Sequence, residues 1–144
     1  MIGVDEELFC RINRQMISQF GGLYVDAARN VRDQNALSYL VADQQNELSL
    51  DGELREIAAT LAYRVITRHV FVDGCKRTAM QAAFLLLQLN SYDVFASNEE
   101  IVGIARAVGD GSIDQQALID WFKTMTAPSP PLAFSSAPPL RTYA

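Results

Sequence analysis

Between positions 69 and 77 the chain gathers an imidazole, a carboxylate, a glycine, a thiol and two adjacent cations: His69, Asp73, Gly74, Cys75, Lys76 and Arg77. His69 is the single histidine, and imidazole is the side chain whose ordinary pKa suits a general base near neutral pH. Asp73 offers the hard oxygen that Mg²⁺ accepts from one or two carboxylates, the rest of its shell being phosphate oxygens and water. Gly74 lets the backbone come close to a ligand, and Lys76 and Arg77 bring full positive charges to the same place. The run that follows, Ala79, Met80, Ala82, Ala83, Phe84, Leu85, Leu86, Leu87 and Leu89, is broken only by Gln81 and Gln88. It predicts a buried helix that starts where the polar cluster ends.

The first N–H groups of such a helix have no partners within it, and its dipole adds partial positive charge there. Phosphate suits that position. Two cations at a helix N-terminus oppose the dipole unless an anion is present, and a local conflict of this kind points to function. A base, a metal ligand and a phosphate clamp in so short a stretch describe phosphoryl or nucleotidyl transfer. The residue types alone also admit plainer roles. His69 could satisfy carbonyls at a helix end, Asp73 could be a helix-start acid, and Lys76 and Arg77 could be solvated charges. Phe71 reads as an apolar plug that holds the loop down.

The elements that must position this cluster read as helices. Asp5 caps a first helix carrying Leu8, Phe9, Ile12, Met16 and Phe20, and Gly21-Gly22 stops it. Residues 23–32 are irregular, and Asp33 or Asn35 opens a short helix containing Leu37, Tyr39, Leu40 and Val41. The polar segment 43–47 reads as a loop. A stronger helix from Asp51 to Arg68 carries Leu54, Ile57, Ala58, Leu61, Val65 and Ile66 on one stripe and delivers His69 at its end. After a turn at Asn90–Asp93 and an extended Val94-Phe95, two capping boxes, Ser97–Glu100 and Ser112–Gln115, start two further helices. No alternating run argues for a strand. The expectation is one all-α domain, residues 1–126, packed round residues 77–89.

Composition agrees with one such domain. The chain has 144 residues, 49% hydrophobic and 20% charged, which is enough to bury one core. Its net charge of −5 argues against a general nucleic-acid binder held by phosphate contacts, so Lys76-Arg77 reads as a local anion site. No stretch is long enough to span a bilayer, and the N-terminus lacks a basic-then-apolar signal pattern. Cys10 and Cys75 form no metal-ligand spacing, and a reduced cytoplasm is the expected compartment. All five prolines follow Ala127, so residues 127–144 are expected to form a flexible Pro/Ser/Ala-rich tail.

The segment His69-Val70-Phe71-Val72-Asp73-Gly74-Cys75-Lys76-Arg77-Thr78 resembles the signature of the Fic/Doc superfamily. It is most similar to the Doc (death-on-curing) branch, H-x-F-x-D-A-N-K-R-T; Lys76 stands where the Fic branch has a glycine. The resemblance runs from about Asp5 to Lys123, through Phe20-Gly21-Gly22, Val31-Arg32-Asp33 and Trp121. It implies a Fic-like helical bundle and a toxin of a toxin–antitoxin pair. Such a toxin transfers the γ-phosphoryl group of ATP to a hydroxyl of elongation factor Tu and halts translation. Carried over, His69 is the base, Asp73 holds Mg²⁺, and Gly74, Cys75, Lys76 and Arg77 cradle the phosphates, with Arg77 also catalytic. Transfer of AMP instead, as in the Fic branch, is the rival reaction. The superfamily also implies a loop or flap near residues 43–47 that holds the target segment.

Cys75 departs from the family, which has asparagine there. A thiol is a far weaker donor than an amide, and loss of one preorganised donor costs roughly 3 kcal/mol of transition-state stabilisation. A catalytically weakened binding module is therefore an alternative. Another is that Cys75, beside two cations at a helix start, has a lowered pKa and senses oxidation. The chain lacks the superfamily's self-inhibitory pattern: Ser49 to Glu53 comes close but is followed by Leu54. Control by an antitoxin protein, through an amphipathic helix laid in a groove near the site, follows as the expected partnership.

Overall fold

Six α-helices follow one another over the described part of the chain: α1 Glu6–Phe20, α2 Gln34–Ser49, α3 Leu54–Thr67, α4 Cys75–Leu89, α5 Asn98–Gly109 and α6 Gln115–Met125. The computed structural model describes residues 1–130. Two strands of three residues each, β1 Tyr92–Val94 and β2 Thr126–Pro128, pair antiparallel with Tyr92 opposite Pro128. They are too short to change the class, and the all-α expectation holds. Ala127 and Pro128, the first residues of the expected tail, lie in β2, and Ser129 bonds to the Ser91 carbonyl and the Asp93 carboxylate. The rest of that tail, from residue 131, lies outside the described residues.

The centre is a pair of helices rather than α4 alone. α3 packs on α4, and together they carry the packing of the other four helices. The reason is visible in the sequence of both: Ala58, Ala59 and Ala62 on α3, and Ala79, Ala82 and Ala83 on α4, are completely buried. Side chains this small let the two backbones pack closely, while Leu61, Val65, Leu86 and Leu87 fill the flanks. Phe84, Trp121 and Phe122 stack at centroid separations of 5.4–6.4 Å and bring α6 onto this pair. Among the described residues no helix is long and apolar enough to cross a membrane.

Three local expectations are corrected. The segment 43–47 is helical, because α2 runs on to Ser49. Its polar residues have partners: Asp43 pairs with Arg64 at 2.5 Å, and buried Gln44 bonds to both the N–H and the carbonyl of Val4. The loop or flap implied for that segment is therefore a helix here. α3 starts at Leu54, capped by Glu53 through the Glu56 N–H, rather than at Asp51. The Ser97–Glu100 capping box is present, but α6 is capped by Asp114 through the Ala117 N–H, and Ser112 instead bonds Asp110.

Candidate active site

The loop between α3 and α4 is fastened at its apolar residues. Val70 and Phe71 are buried, Phe71 to 1% exposure, as a plug should be. The backbone is tied to the segment before α2. The Val70 carbonyl accepts the N–H groups of Arg32 and Asp33 at 2.8 and 3.1 Å, Phe71 bridges Val31, and Val72 donates to the Asn30 carbonyl at 2.8 Å. A loop fastened at Val70, Phe71 and Val72 presents its remaining side chains on a fixed frame.

His69 sits at the start of this loop in the left-handed conformation, φ +47°, and is exposed. A histidine there carries strain of about 1–2 kcal/mol that its surroundings must offset. Arg32 supplies the offset. Its Nε donates to the His69 carbonyl at 2.6 Å and its Nη2 to the Arg68 carbonyl at 2.8 Å, closing the C-terminal end of α3. The side chains of Arg32 and Asp33 serve separate ends: Arg32 clamps the carbonyls, and Asp33 caps α2 through the Ala36 N–H at 3.0 Å.

Asp73 is exposed and ionised. Its Oδ2 accepts the Leu23 N–H at 2.9 Å and its Oδ1 the Gly74 N–H at 2.8 Å, and these two bonds hold its carboxyl below the usual carboxylate range. The first bond draws the Gly21-Gly22 turn against the site. Gly22 has φ +130°, which favours glycine, and an added Cβ would lie 2.9 Å from Asp73 Oδ2 and push on that carboxylate. Gly74 precedes α4 at φ +75°, again left-handed.

α4 begins without a cap. The other five helices each have a side chain that accepts from their first turn, Asp5, Asp33, Glu53, Ser97 and Asp114. No side chain does so for α4, and the N–H groups of Cys75, Lys76 and Arg77 have no acceptor among the described residues. Arg77 stretches over the Phe20 ring at 4.6 Å, a cation–π contact at the mouth of the site. Lys76 lies along Gly109 at the end of α5, where an added Cβ would come within 2.5 Å of its Cε. Cys75 turns inward. Its thiol donates to the Phe71 carbonyl at 3.2 Å, and burial pushes its pKa up. The activated, low-pKa thiol considered above is thereby overturned, and what Cys75 offers a ligand is its backbone N–H.

One cavity of about 830 Å³ joins these groups. His69, Asp73, Gly74, Cys75, Lys76 and Arg77 all line it, so every residue singled out in the sequence is brought together. Arg32 also lines it, as do Asn98, Ile101, Val102 and Arg106 of α5. The α5 wall was not foreseen, since nothing in its sequence distinguishes it from an ordinary amphipathic helix. A second, smaller hollow of about 300 Å³ between α2 and α3 is lined by Asp43, Glu53, Glu56 and Arg64, which are largely paired.

The donor set fits Mg²⁺ in one way only. Among the described residues no three His, Cys, Asp or Glu side chains cluster for a metal, so an all-protein cage is absent. Asp73 is an exposed, ionised carboxylate with acceptor capacity left on both oxygens, which suits an ion that takes most of its ligands from phosphate and water.

A family model described as the Fic/DOC family matches residues 3–87. The chain is also similar to the Protein kinase doc of Escherichia phage P1, at 24% identity over 124 residues, spanning 85% of this chain and 94% of that protein. The match to the family model covers α1 to α3, the whole motif loop and α4 as far as Leu87.

Proposed function

This chain belongs to the Fic/Doc family, and on that premise we propose that it is a Doc-like toxin that moves the γ-phosphoryl group of ATP to a hydroxyl of a protein target. The target class favoured by the family is a translation factor of the elongation factor Tu type, and the natural control is a separate antitoxin protein. The observation that carries the reading is the uncapped start of α4. Three N–H groups without an acceptor among the described residues, two cations and an ionised carboxylate border the same cavity as the only imidazole.

In this reading the amides of Cys75, Lys76 and Arg77 receive phosphate oxygens, and Arg77 and Lys76 offset their charge. Asp73 would hold Mg²⁺, which when bound neutralises charge on the phosphates. The target hydroxyl enters beside His69 and gives its proton to the imidazole. Its oxygen bonds to the γ-phosphorus, the bond from that phosphorus to the β–γ bridging oxygen breaks, and ADP leaves. Little covalent work falls to the protein, so rate comes from positioning and charge stabilisation.

Cys75 favours a second reading. With its thiol committed to Phe71, the side chain adds no donor to the phosphate site, which supports a slow catalyst or a module that binds nucleotide and partner without turnover. Expression of wild type and His69→Ala in a bacterial host separates the two. His69 is exposed, so truncation leaves no cavity and the variant should melt like wild type. Loss of growth arrest in a folded His69→Ala protein supports catalysis. Full arrest by that variant refutes the role of His69 as base.

A further inference from the structure

Asn13 stands on the core-facing stripe of α1, between Ile12 and Met16, and is completely buried. A buried amide is costly unless its hydrogen bonds are made. Its Nδ2 donates to the Asp73 carbonyl at 2.9 Å and to Thr78 Oγ1 at 3.0 Å, and its Oδ1 accepts from Asn30 Nδ2 at 2.9 Å. Asn30 is as deeply buried, and its Oδ1 accepts the Val25 N–H at 2.8 Å while its carbonyl takes the Val72 N–H at 2.8 Å. Chemistry fixes the orientation of the Asn13 amide. A carbonyl oxygen can only accept, so the NH₂ must face Asp73.

The two acceptors of Asn13 flank the segment 74–77, which holds the same three amides. The side chain also lies against the left-handed turn itself: a Cβ on Gly74 would come within 3.2 Å of Asn13 Nδ2. We propose that Asn13 is a positioning residue for the phosphate site. It ties the residue before the turn to the first turn of α4, so that the Cys75, Lys76 and Arg77 amides converge before a ligand arrives. Asn30 holds Asn13 in that orientation and anchors the motif loop through Val72. A site ordered in advance spends less of its binding free energy on ordering itself. The proposal rests on the reading of α4 as a nucleotide-phosphate site.

The test uses the full chain, with Mg²⁺–ATP as the probe and the backbone amide resonances of residues 75–77 as the local readout. Asn13→Asp keeps the shape, removes both donors and sets a carboxylate against the Asp73 carbonyl. Thr78→Val keeps the shape of its side chain and removes the hydroxyl that accepts from Asn13. Dissociation constants should rise roughly tenfold for Asn13→Asp and about threefold for Thr78→Val, the size expected when one or two hydrogen bonds are lost. The three amide resonances should already differ without ligand, in a Thr78→Val protein that melts within a few degrees of wild type. If Asn13→Asp does not fold, the Thr78→Val result decides. Thr78→Val binding and amide shifts identical to wild type would overturn the positioning role and leave the nucleotide reading intact. Wild-type amides at 75–77 that ignore Mg²⁺–ATP would overturn both.

Discussion

Replacing Arg32 with leucine removes a guanidinium that donates to the His69 carbonyl at 2.6 Å and the Arg68 carbonyl at 2.8 Å. Hydrogen bonds from a charged donor contribute about 1.5–3 kcal/mol each when well shielded. Arg32 is exposed, so solvent competes for both carbonyls and the pair together is worth roughly 1–2 kcal/mol. For a domain of this size that corresponds to a fall of about 3–8 °C in melting temperature. The kinetic effect should be larger than the loss of stability suggests. His69 is held at φ +47°, and the strain of about 1–2 kcal/mol in that conformation is comparable with what the clamp supplies. Without it the backbone is free to relax and carry the imidazole away, and misplacing a base by about 1 Å costs up to roughly a hundredfold. Phosphoryl transfer should therefore fall ten- to a hundredfold in kcat, with KM for ATP little changed, because Arg32 acts on the base and not on the phosphates. Arg32→Lys should recover part of the rate, since one ammonium cannot span both carbonyls in the same way. Calorimetric melting and steady-state kinetics on the same preparations provide the check. A variant with wild-type kcat would refute the clamp, and a rise confined to KM would show that Arg32 is a phosphate ligand instead.

Two further outcomes follow from the site. Cys75→Asn should raise the rate under reducing conditions, since an asparagine has two N–H groups and can serve the Phe71 carbonyl while offering a donor to phosphate; up to about 3 kcal/mol, on the order of a hundredfold, is at stake. A rate no faster than wild type at saturating Mg²⁺–ATP would show that the missing donor is not limiting. Asp73 contributes to stability through the Leu23 and Gly74 amides, and its depressed pKa means that this contribution is present above the ordinary carboxylate pKa and is lost as pH falls through the lower folded value. The melting difference between wild type and Asp73→Asn should therefore shrink from about pH 6 to about pH 3. A difference independent of pH would contradict the assignment of those two bonds.

The motif was legible because its residue types conflict with their place in a helix, and such conflicts survive without any tertiary information. His69, Asp73 and Arg77 reach one cavity because a short loop, fastened by buried Val70 and Phe71, joins the end of α3 to the first turn of α4. What escaped sequence reasoning depends on partners far along the chain. Asn13 meets residues 60 and 65 positions away, and the sole hint was a polar residue inside an apolar stripe. Arg32 was visible as a charge, but its acceptors are backbone carbonyls, which no side-chain pattern reports. The stretch 43–47 looked like a loop because it is polar. It is helical because Gln44 and Asp43 find Val4 and Arg64. The pairing of β2 with β1 joins segments that α5 and α6 separate in the chain, each too short to carry a period of its own.

Whether the amides at the start of α4 and His69 together transfer the γ-phosphoryl group is decided by a labelling measurement. Purified protein is incubated with a bacterial elongation factor of the Tu type, Mg²⁺, and ATP carrying label at either the α or the γ phosphate, with His69→Ala in parallel. Label should reach the factor from γ-labelled ATP only, and none should arrive with His69→Ala. Label arriving from the α position would show AMP transfer in place of phosphoryl transfer, and equal labelling by His69→Ala would contradict the site itself.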